Sequence, residues 1–99
     1  MKVNIHAPFE VNAGLKQLIQ DKVNKLHTYY ERILKADIYL KLREDNIRDG
    51  KMVEINLHVP LKDIFAKDTE DTYEKAIAKT TKKLETQLKR RKEILAKKH

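Results

Sequence analysis

The apolar residues of this 99-residue chain recur with two different periods, and this constrains the fold more than any other feature. Alternation of apolar and polar residues is typical of a half-buried β-strand, and it occurs in residues 1–6, 37–43 and 52–59. Spacings of three and four are typical of an amphipathic helix, and they occur in residues 12–32 and 71–97. A short fourth strand is predicted at 63–67, where Ile64 and Ala66 share one face.

Polar residues at the ends of these segments predict where they begin and end. Asn12 is placed as the N-cap of the first helix. Asp71 and Glu74 have the spacing of a capping box, with Asp71 as the N-cap of the second helix. A polar connection begins at Asp45 and ends in Asp49-Gly50, which is a strong signal for a hairpin turn.

The order β-α-β-β-β-α predicts an α+β fold in which two helices pack on one face of a four-stranded sheet, as in double-stranded-RNA-binding domains. A single domain is expected over residues 1–99. Apolar residues make up 40% of the chain, which is enough for one small core.

The charge of the chain is unevenly distributed. Residues 1–74 hold 12 Lys and Arg against 13 Asp and Glu, whereas residues 75–99 hold 10 Lys and Arg against two Glu. The whole net charge of +7 therefore lies in the last quarter. Such a block suits a polyanion, either RNA, DNA or an anionic membrane surface, and the alternative is a solvated helix face.

Both predicted helices carry cations beside their apolar faces. The second helix presents a basic stripe opposite its apolar arc, with further cations beside it: Lys75, Lys79, Lys82, Lys89, Lys83, Arg90 and Lys97. Lys22, Lys25 and Tyr29 line one flank of the first helix. If the helices lie side by side, these flanks form one basic surface. In the alternative, Tyr29 or Tyr30 is partly buried and Lys22 only extends over it.

The chain lacks residues that several classes of protein function require. The chain has no Cys and no Ser, so thiolate metal sites and both of these nucleophiles are excluded. His6 and His58 lie on polar strand faces where they could meet, but no metal, cofactor or catalytic residue is predicted. A small enzyme would regain support if a deep pocket held either histidine beside an acid. Without a signal peptide or an apolar membrane span, a soluble cytoplasmic protein is expected.

The sequence resembles the bacterial family of ribosome hibernation promoting factors and ribosome-associated translation inhibitors. Residues 21–33 are similar to that family's Lys-x-x-Lys-Leu-x-x-Tyr-x-x-x-Ile pattern. Asp71-Thr-Tyr73, the run Lys83-Leu-Glu-Thr-Gln-Leu88 and the basic run 89–92 are similar to its second helix. Because the chain stops at His99, it resembles the short form, and its short tail favours the hibernation-promoting type.

The resemblance implies a non-enzymatic protein that binds the small ribosomal subunit in the channel used by messenger and transfer RNA and silences idle 70S-type ribosomes. It implies rRNA contacts by basic residues of both helices: Lys22, Lys25, Lys83, Lys89, Arg90 and Arg91, with Lys79 and Lys82 on the same surface. The expected partner is rRNA, with no membrane and no small-molecule substrate, and the protein itself is expected to be monomeric. The alternative is a generic double-stranded RNA-binding module.

Overall fold

A computed structural model describes residues 1–44 and 49–97, apart from the side chains of residues 43, 44, 49 and 95–97. The order of elements confirms the predicted β-α-β-β-β-α arrangement. The elements are β1 (Lys2–His6), α1 (Ala13–Tyr29), β2 (Lys35–Glu44), β3 (Asp49–His58), β4 (Ile64–Glu70) and α2 (Tyr73–Lys97). The strands form one sheet in the order β1-β2-β3-β4, with β1 parallel to β2 and the other pairs antiparallel.

Both helices cover the same face of this sheet, as the apolar periods predict. Their inward residues and every second strand residue form one continuous core. The largest fully buried apolar side chains of this core are Ile19, Val23, Ile33, Ile38, Leu40, Val53, Ile55, Leu57, Ile77, Leu84 and Leu88. Burying each such side chain contributes roughly 1.5–3 kcal/mol. The opposite face of the sheet is left open and carries the polar residues of the alternation.

Helix α1 begins as predicted and ends earlier than predicted. The Asn12 side-chain oxygen accepts a hydrogen bond from the Leu15 N–H at 2.8 Å, which makes Asn12 the N-cap. The helix was predicted to reach residue 32, but its last residue is Tyr29. Tyr30 has extended backbone angles (φ −133°, ψ 97°) and is only 4% exposed. The chain leaves the helix here because Tyr30 and Ile33 must both enter the core before β2 begins.

The prediction that Asp71 caps helix α2 is wrong by one residue. The Thr72 hydroxyl accepts a hydrogen bond from the Lys75 N–H at 3.1 Å, and the Thr72 carbonyl accepts the first helical bond, from Ala76. Thr72 is therefore the N-cap. The Asp71 carboxylate lies instead 3.1 Å from the Lys75 ammonium. A hydroxyl and a carboxylate are both good capping groups, so their order in the sequence does not decide between them.

The hairpin signalled by Asp49-Gly50 is present, because β2 and β3 pair as consecutive antiparallel strands, but the predicted position of its turn is wrong. Both residues belong to β3, where Asp49 pairs with Glu44 and Gly50 pairs with Arg43. The remainder of the predicted connection, residues 45–48, lies outside the described residues. Strand β4 confirms the fourth strand and extends it to Glu70, with Ile64 and Ala66 buried on one face as predicted.

Side chains of α2 cover part of the outer edge of β4. Gln87 donates to the Phe65 carbonyl at 2.9 Å, and the Lys83 ammonium donates to the Lys67 carbonyl at 3.1 Å. These are backbone groups that an edge strand would otherwise offer to another chain. Their occupation supports the expectation of a monomer, which stays a prediction.

Candidate nucleic-acid interface

All eight predicted contact residues lie on the helical layer, two on α1 and six on α2. Because the helices pack side by side on one face of the sheet, the cations of both helices share one side of the molecule. The structure divides them by whether an internal partner already holds the charged group. This division decides which cations are free to meet a polyanion.

Two of the predicted lysines bind carboxylates of β4. The Lys79 ammonium lies 2.7 Å from Glu70, and the Lys83 ammonium lies 3.0 Å from Asp68. The hydrogen bond that the Lys79 ammonium donates to the Glu70 carboxylate raises the pKa of Lys79. Burial would raise the pKa of Asp68, but hydrogen bonds from Lys83 and from the Thr69 N–H outweigh it and lower that pKa. These exposed pairs link α2 to the edge strand and contribute little to stability, but they compensate part of the field of each lysine.

Arg91 binds the loop that joins β3 to β4. Its guanidinium donates to the Pro60 carbonyl at 2.7 Å and to the Lys62 carbonyl at 2.9 Å. Between these carbonyls, Leu61 has a φ of 78°, which lies in the left-handed region that a non-glycine residue rarely adopts. The two bonds from Arg91 hold the backbone on both sides of this strained residue. Arg91 therefore has a structural task in addition to its predicted contact with RNA.

The end of α2 also contacts the end of α1. Lys92 donates to the Tyr29 carbonyl at 3.2 Å, and its ammonium lies 4.6 Å from the centroid of the Tyr29 ring. This distance is that of a cation–π contact. Lys89 lies 3.8 Å from Glu85, one turn earlier on the same helix. The adjacent Arg90 is exposed.

The remaining predicted cations converge on a groove between the two helices. The groove has a volume of about 270 Å³ and is lined by Lys22, Lys25, Leu26, Tyr29, Ala78, Thr81, Lys82 and Glu85. Among the side chains that the structure describes, none forms an ion pair or hydrogen bond with the ammonium groups of Lys22, Lys25 or Lys82. The structure thus brings cations of both helices together, as the sequence predicted. Of the two adjacent tyrosines, Tyr29 is 37% exposed, whereas Tyr30 is buried in the core.

A second polar cluster lies on the open face of the sheet, centred on a residue that the sequence analysis did not single out. Asp37 is only 7% exposed, and its carboxylate lies 2.9 Å from His58 Nε2 and 3.3 Å from His6 Nε2. Asn4 donates to it at 3.3 Å, and the Lys35 ammonium lies at 3.6 Å. Burial would raise the pKa of Asp37, but the hydrogen bonds of these neighbours and the charge of Lys35 lower it to about 2.

The sequence contained a signal for this cluster. His6 and His58 were placed on the polar faces of β1 and β3, and β2 lies between these strands. Asp37 is the polar-face residue of β2 that pairs with Asn4 on one side and Asn56 on the other. The strand order, which periodicity alone does not give, was needed to place an acid between the two histidines.

The cluster places both histidines beside an acid, as the enzyme alternative requires. The hollow beside His6 is open to solvent, has a volume of about 340 Å³, and is lined by His6, Ala7, Pro8, Tyr39, Leu40 and Lys41. In the described part of the chain, no three His, Asp or Glu side chains are placed to share a metal ion. Nor does any described helix have the length and apolar character of a membrane span.

Two solved structures have the same fold. A ribosomal subunit interface protein from Coxiella burnetii superposes with a TM-score of 0.79 at 22% identity, covering 93% of this chain and 98% of that one. The N-terminal domain of Thermus thermophilus Protein Y superposes with a TM-score of 0.78, also at 22% identity, covering 91% and 98% of the two chains.

Sequence comparison identifies the family. A relative of known function, the ribosome hibernation promotion factor of Bacillus subtilis (strain 168), is 30% identical over 96 residues. The match covers 93% of this chain and 49% of the relative, so the chain spans about half the length of that protein. The family model described as "Sigma 54 modulation protein / S30EA ribosomal protein" matches residues 3–96. The chain therefore belongs to the sigma 54 modulation protein / S30EA ribosomal protein family, the family of ribosome hibernation factors that its sequence resembles.

Proposed function

We propose that this protein is a ribosome hibernation factor, which binds small-subunit rRNA in the channel for messenger and transfer RNA and silences idle ribosomes in the cytoplasm. The observation that carries the proposal is the convergence of Lys22 and Lys25 from α1 with Lys82 from α2 on one groove. Membership in a family of ribosomal proteins and the name of the Bacillus subtilis relative support the same partner.

The mechanism requires no chemical step. Cations along the helical layer would neutralise phosphates of folded rRNA and release their counterions, which provides affinity that falls steeply with salt. Contacts of this kind read the backbone and the shape of RNA rather than its sequence. A rigid α+β body held in the channel would then exclude messenger and transfer RNA by its volume.

The internal partners divide the predicted contact residues into two groups. Lys22, Lys25, Lys82 and Arg90 would meet phosphate directly, because none of them has to leave a partner within the described residues. Lys79, Lys83, Lys89 and Arg91 would contribute less per residue, since each has an internal partner. The groove rim is therefore proposed as the centre of the rRNA-binding surface.

The test is sucrose-gradient sedimentation of purified ribosomes with the wild-type protein and two charge-reversal triples, at low and moderate salt. Replacing Lys22, Lys25 and Lys82 by Glu is expected to abolish co-migration at moderate salt, because three phosphates lose their cations and meet carboxylates instead. The control reverses Lys2, Lys41 and Lys67, which lie on strand faces turned away from the helices. It makes the same change in net charge and is expected to leave co-migration intact.

Three outcomes would contradict the proposal. If the wild-type protein stays at the top of the gradient at low salt, the ribosome is not its partner. If the groove triple still co-migrates at moderate salt, the binding surface lies elsewhere. If arbitrary RNA duplexes bind as tightly as ribosomes, the protein is the generic double-stranded RNA-binding module instead.

A further inference from the structure

The groove between α1 and α2 has the dimensions of a site for one planar ring. Its volume of about 270 Å³ lies just below the ~300 Å³ at which small-ligand pockets usually begin. Leu26 and Thr81 are buried in its floor, while Ala78 is exposed beside them. The groove has room for a single base that has left its stack.

Tyr29 gives this groove an aromatic wall. The residue lines both the groove and a second hollow, and Lys92 lines only the second hollow. The Lys92 ammonium, 4.6 Å from the ring centroid, holds the ring from that side. The part of Tyr29 that lines the groove stays available to a planar ligand. Stacking on an aromatic side chain is a common way for proteins to bind unstacked bases.

The polar groups of the groove match the rest of a nucleotide. Lys22, Lys25 and Lys82 supply three ammonium groups for the phosphates that must accompany any base of RNA. Glu85 is the one acidic residue of the lining, and its distance of 3.8 Å from Lys89 leaves it acceptor capacity. An ionised carboxylate only accepts hydrogen bonds. Among the bases, guanine offers two adjacent N–H donors on its pairing edge, and uracil offers one.

We propose that the groove binds one unstacked guanine nucleotide of RNA, with the base against Tyr29 and Ala78, its donor edge on Glu85, and its phosphates on Lys22, Lys25 and Lys82. This inference rests on the proposed function and names the ligand of the same surface. It adds one base-specific contact to a surface that otherwise reads backbone and shape.

The test uses an RNA hairpin with a single bulged guanine, the same hairpin with a bulged uracil, and the fully paired hairpin. Dissociation constants are measured at one salt concentration, since they depend on salt. The wild-type protein is expected to bind the bulged-guanine hairpin about tenfold more tightly than the paired one, the size of one base–aromatic stack. The bulged-uracil hairpin is expected to bind with intermediate affinity.

Two variants and one control variant locate the base. Ala78→Leu fills the groove from an exposed helical position and should abolish the preference for bulged hairpins, while the affinity for the paired hairpin is unchanged. Ala13→Leu makes the same substitution at an exposed position of α1 outside the groove and should preserve the preference. Glu85→Gln should reduce the ratio of the guanine to the uracil affinity, while the loss of a negative charge from the groove raises the affinity for all three hairpins.

The inference and the proposed function fail in different ways. Equal wild-type affinities for bulged and paired hairpins, or binding to none of them, would overturn the nucleotide site even if the protein co-sediments with ribosomes. A preference for bulged guanine that survives Ala78→Leu in a folded protein would also overturn it. If the wild-type protein does not co-sediment with ribosomes but shows the expected hairpin preferences, only the proposed function is overturned.

Discussion

The helical layer and the open face of the sheet both carry many charged groups, but they differ in whether those charges are paired with groups of opposite charge. On the sheet face, Asp37 is surrounded by two histidines and Lys35, and Lys41 lies 3.2 Å from Glu54. On the helical layer, the groove lysines have no such partners among the described residues. A polyanion gains most from uncompensated cations. The number of charges therefore does not identify a binding surface, and the proposed surface rests instead on the position of the unpaired cations.

Among substitutions that test this comparison, the largest effect is expected for Asp37→Asn. Asp37 lies at the centre of the open sheet face, where the charges are paired. Its pKa is lowered from 3.8 to about 2, and at ~1.4 kcal/mol per pKa unit the replacement Asp37→Asn should cost roughly 2 kcal/mol of unfolding free energy at neutral pH. Because the pKa is depressed in the folded state, this stability is present above about pH 4 and is lost as the pH falls to about 2.

Urea denaturation of both proteins between pH 7 and pH 2 measures this difference. The unfolding free energies should differ most above pH 5 and converge near pH 2, while ribosome co-sedimentation at neutral pH is the same for both proteins. A constant difference across this range would show that Asp37 stabilises the fold by packing and not by its charge. Weakened ribosome binding would show that the sheet face belongs to the interface.

A smaller effect is expected within the helical layer, at the adjacent residues Arg90 and Arg91. Arg91→Ala removes two charged hydrogen bonds to the loop around Leu61 and should lower the unfolding free energy by ~1 kcal/mol. Arg90→Ala should leave stability unchanged and weaken ribosome binding more than Arg91→Ala does. Thermal unfolding and co-sedimentation of the two variants decide this. Equal stabilities would mean that the hydrogen bonds from Arg91 to Pro60 and Lys62 are energetically unimportant.

The fold was predictable because each element carries its own period and the order of elements limits the topology. The errors occurred where two residues offer the same local chemistry. Asp71 and Thr72 can each cap a helix, and the contacts with Lys75 decide between them. Asp49-Gly50 is compatible with a turn or a strand end, and its pairing with Arg43 and Glu44 depends on the register of the whole hairpin.

The sequence was enough to predict which residues lie on the candidate interface, but not which of them form internal ion pairs. Helical spacing places Lys79, Lys82 and Lys83 on the outer side of α2, but the partners of Lys79 and Lys83 are residues of β4 that lie 9 and 15 positions earlier in the chain. Which lysine meets a carboxylate depends on how far α2 is displaced across the sheet. The groove likewise requires the relative position of two helices, which no periodicity within either helix defines.

The smallest expected effect compares Lys79 and Lys82, neighbouring lysines of the same helix that differ in pairing. Lys82→Gln should reduce the salt slope of ribosome binding by about 1, the value for one neutralised phosphate. Lys79→Gln should reduce it by less than half as much, because Glu70 already compensates that ammonium. Neither substitution is expected to shift the unfolding midpoint measurably, since both side chains are exposed.

Affinity measured at four or more salt concentrations gives both slopes, and the double variant Lys79→Gln with Glu70→Gln completes the argument. With Lys79 already neutral, removing Glu70 eliminates a negative charge from the edge of the interface and should raise the affinity slightly. Glu70→Gln alone should raise it more, because it also frees the Lys79 ammonium for phosphate. If the two Glu70 variants gain equally, internal pairing does not control which cations meet RNA, and the distinction between the two groups of lysines loses its physical basis.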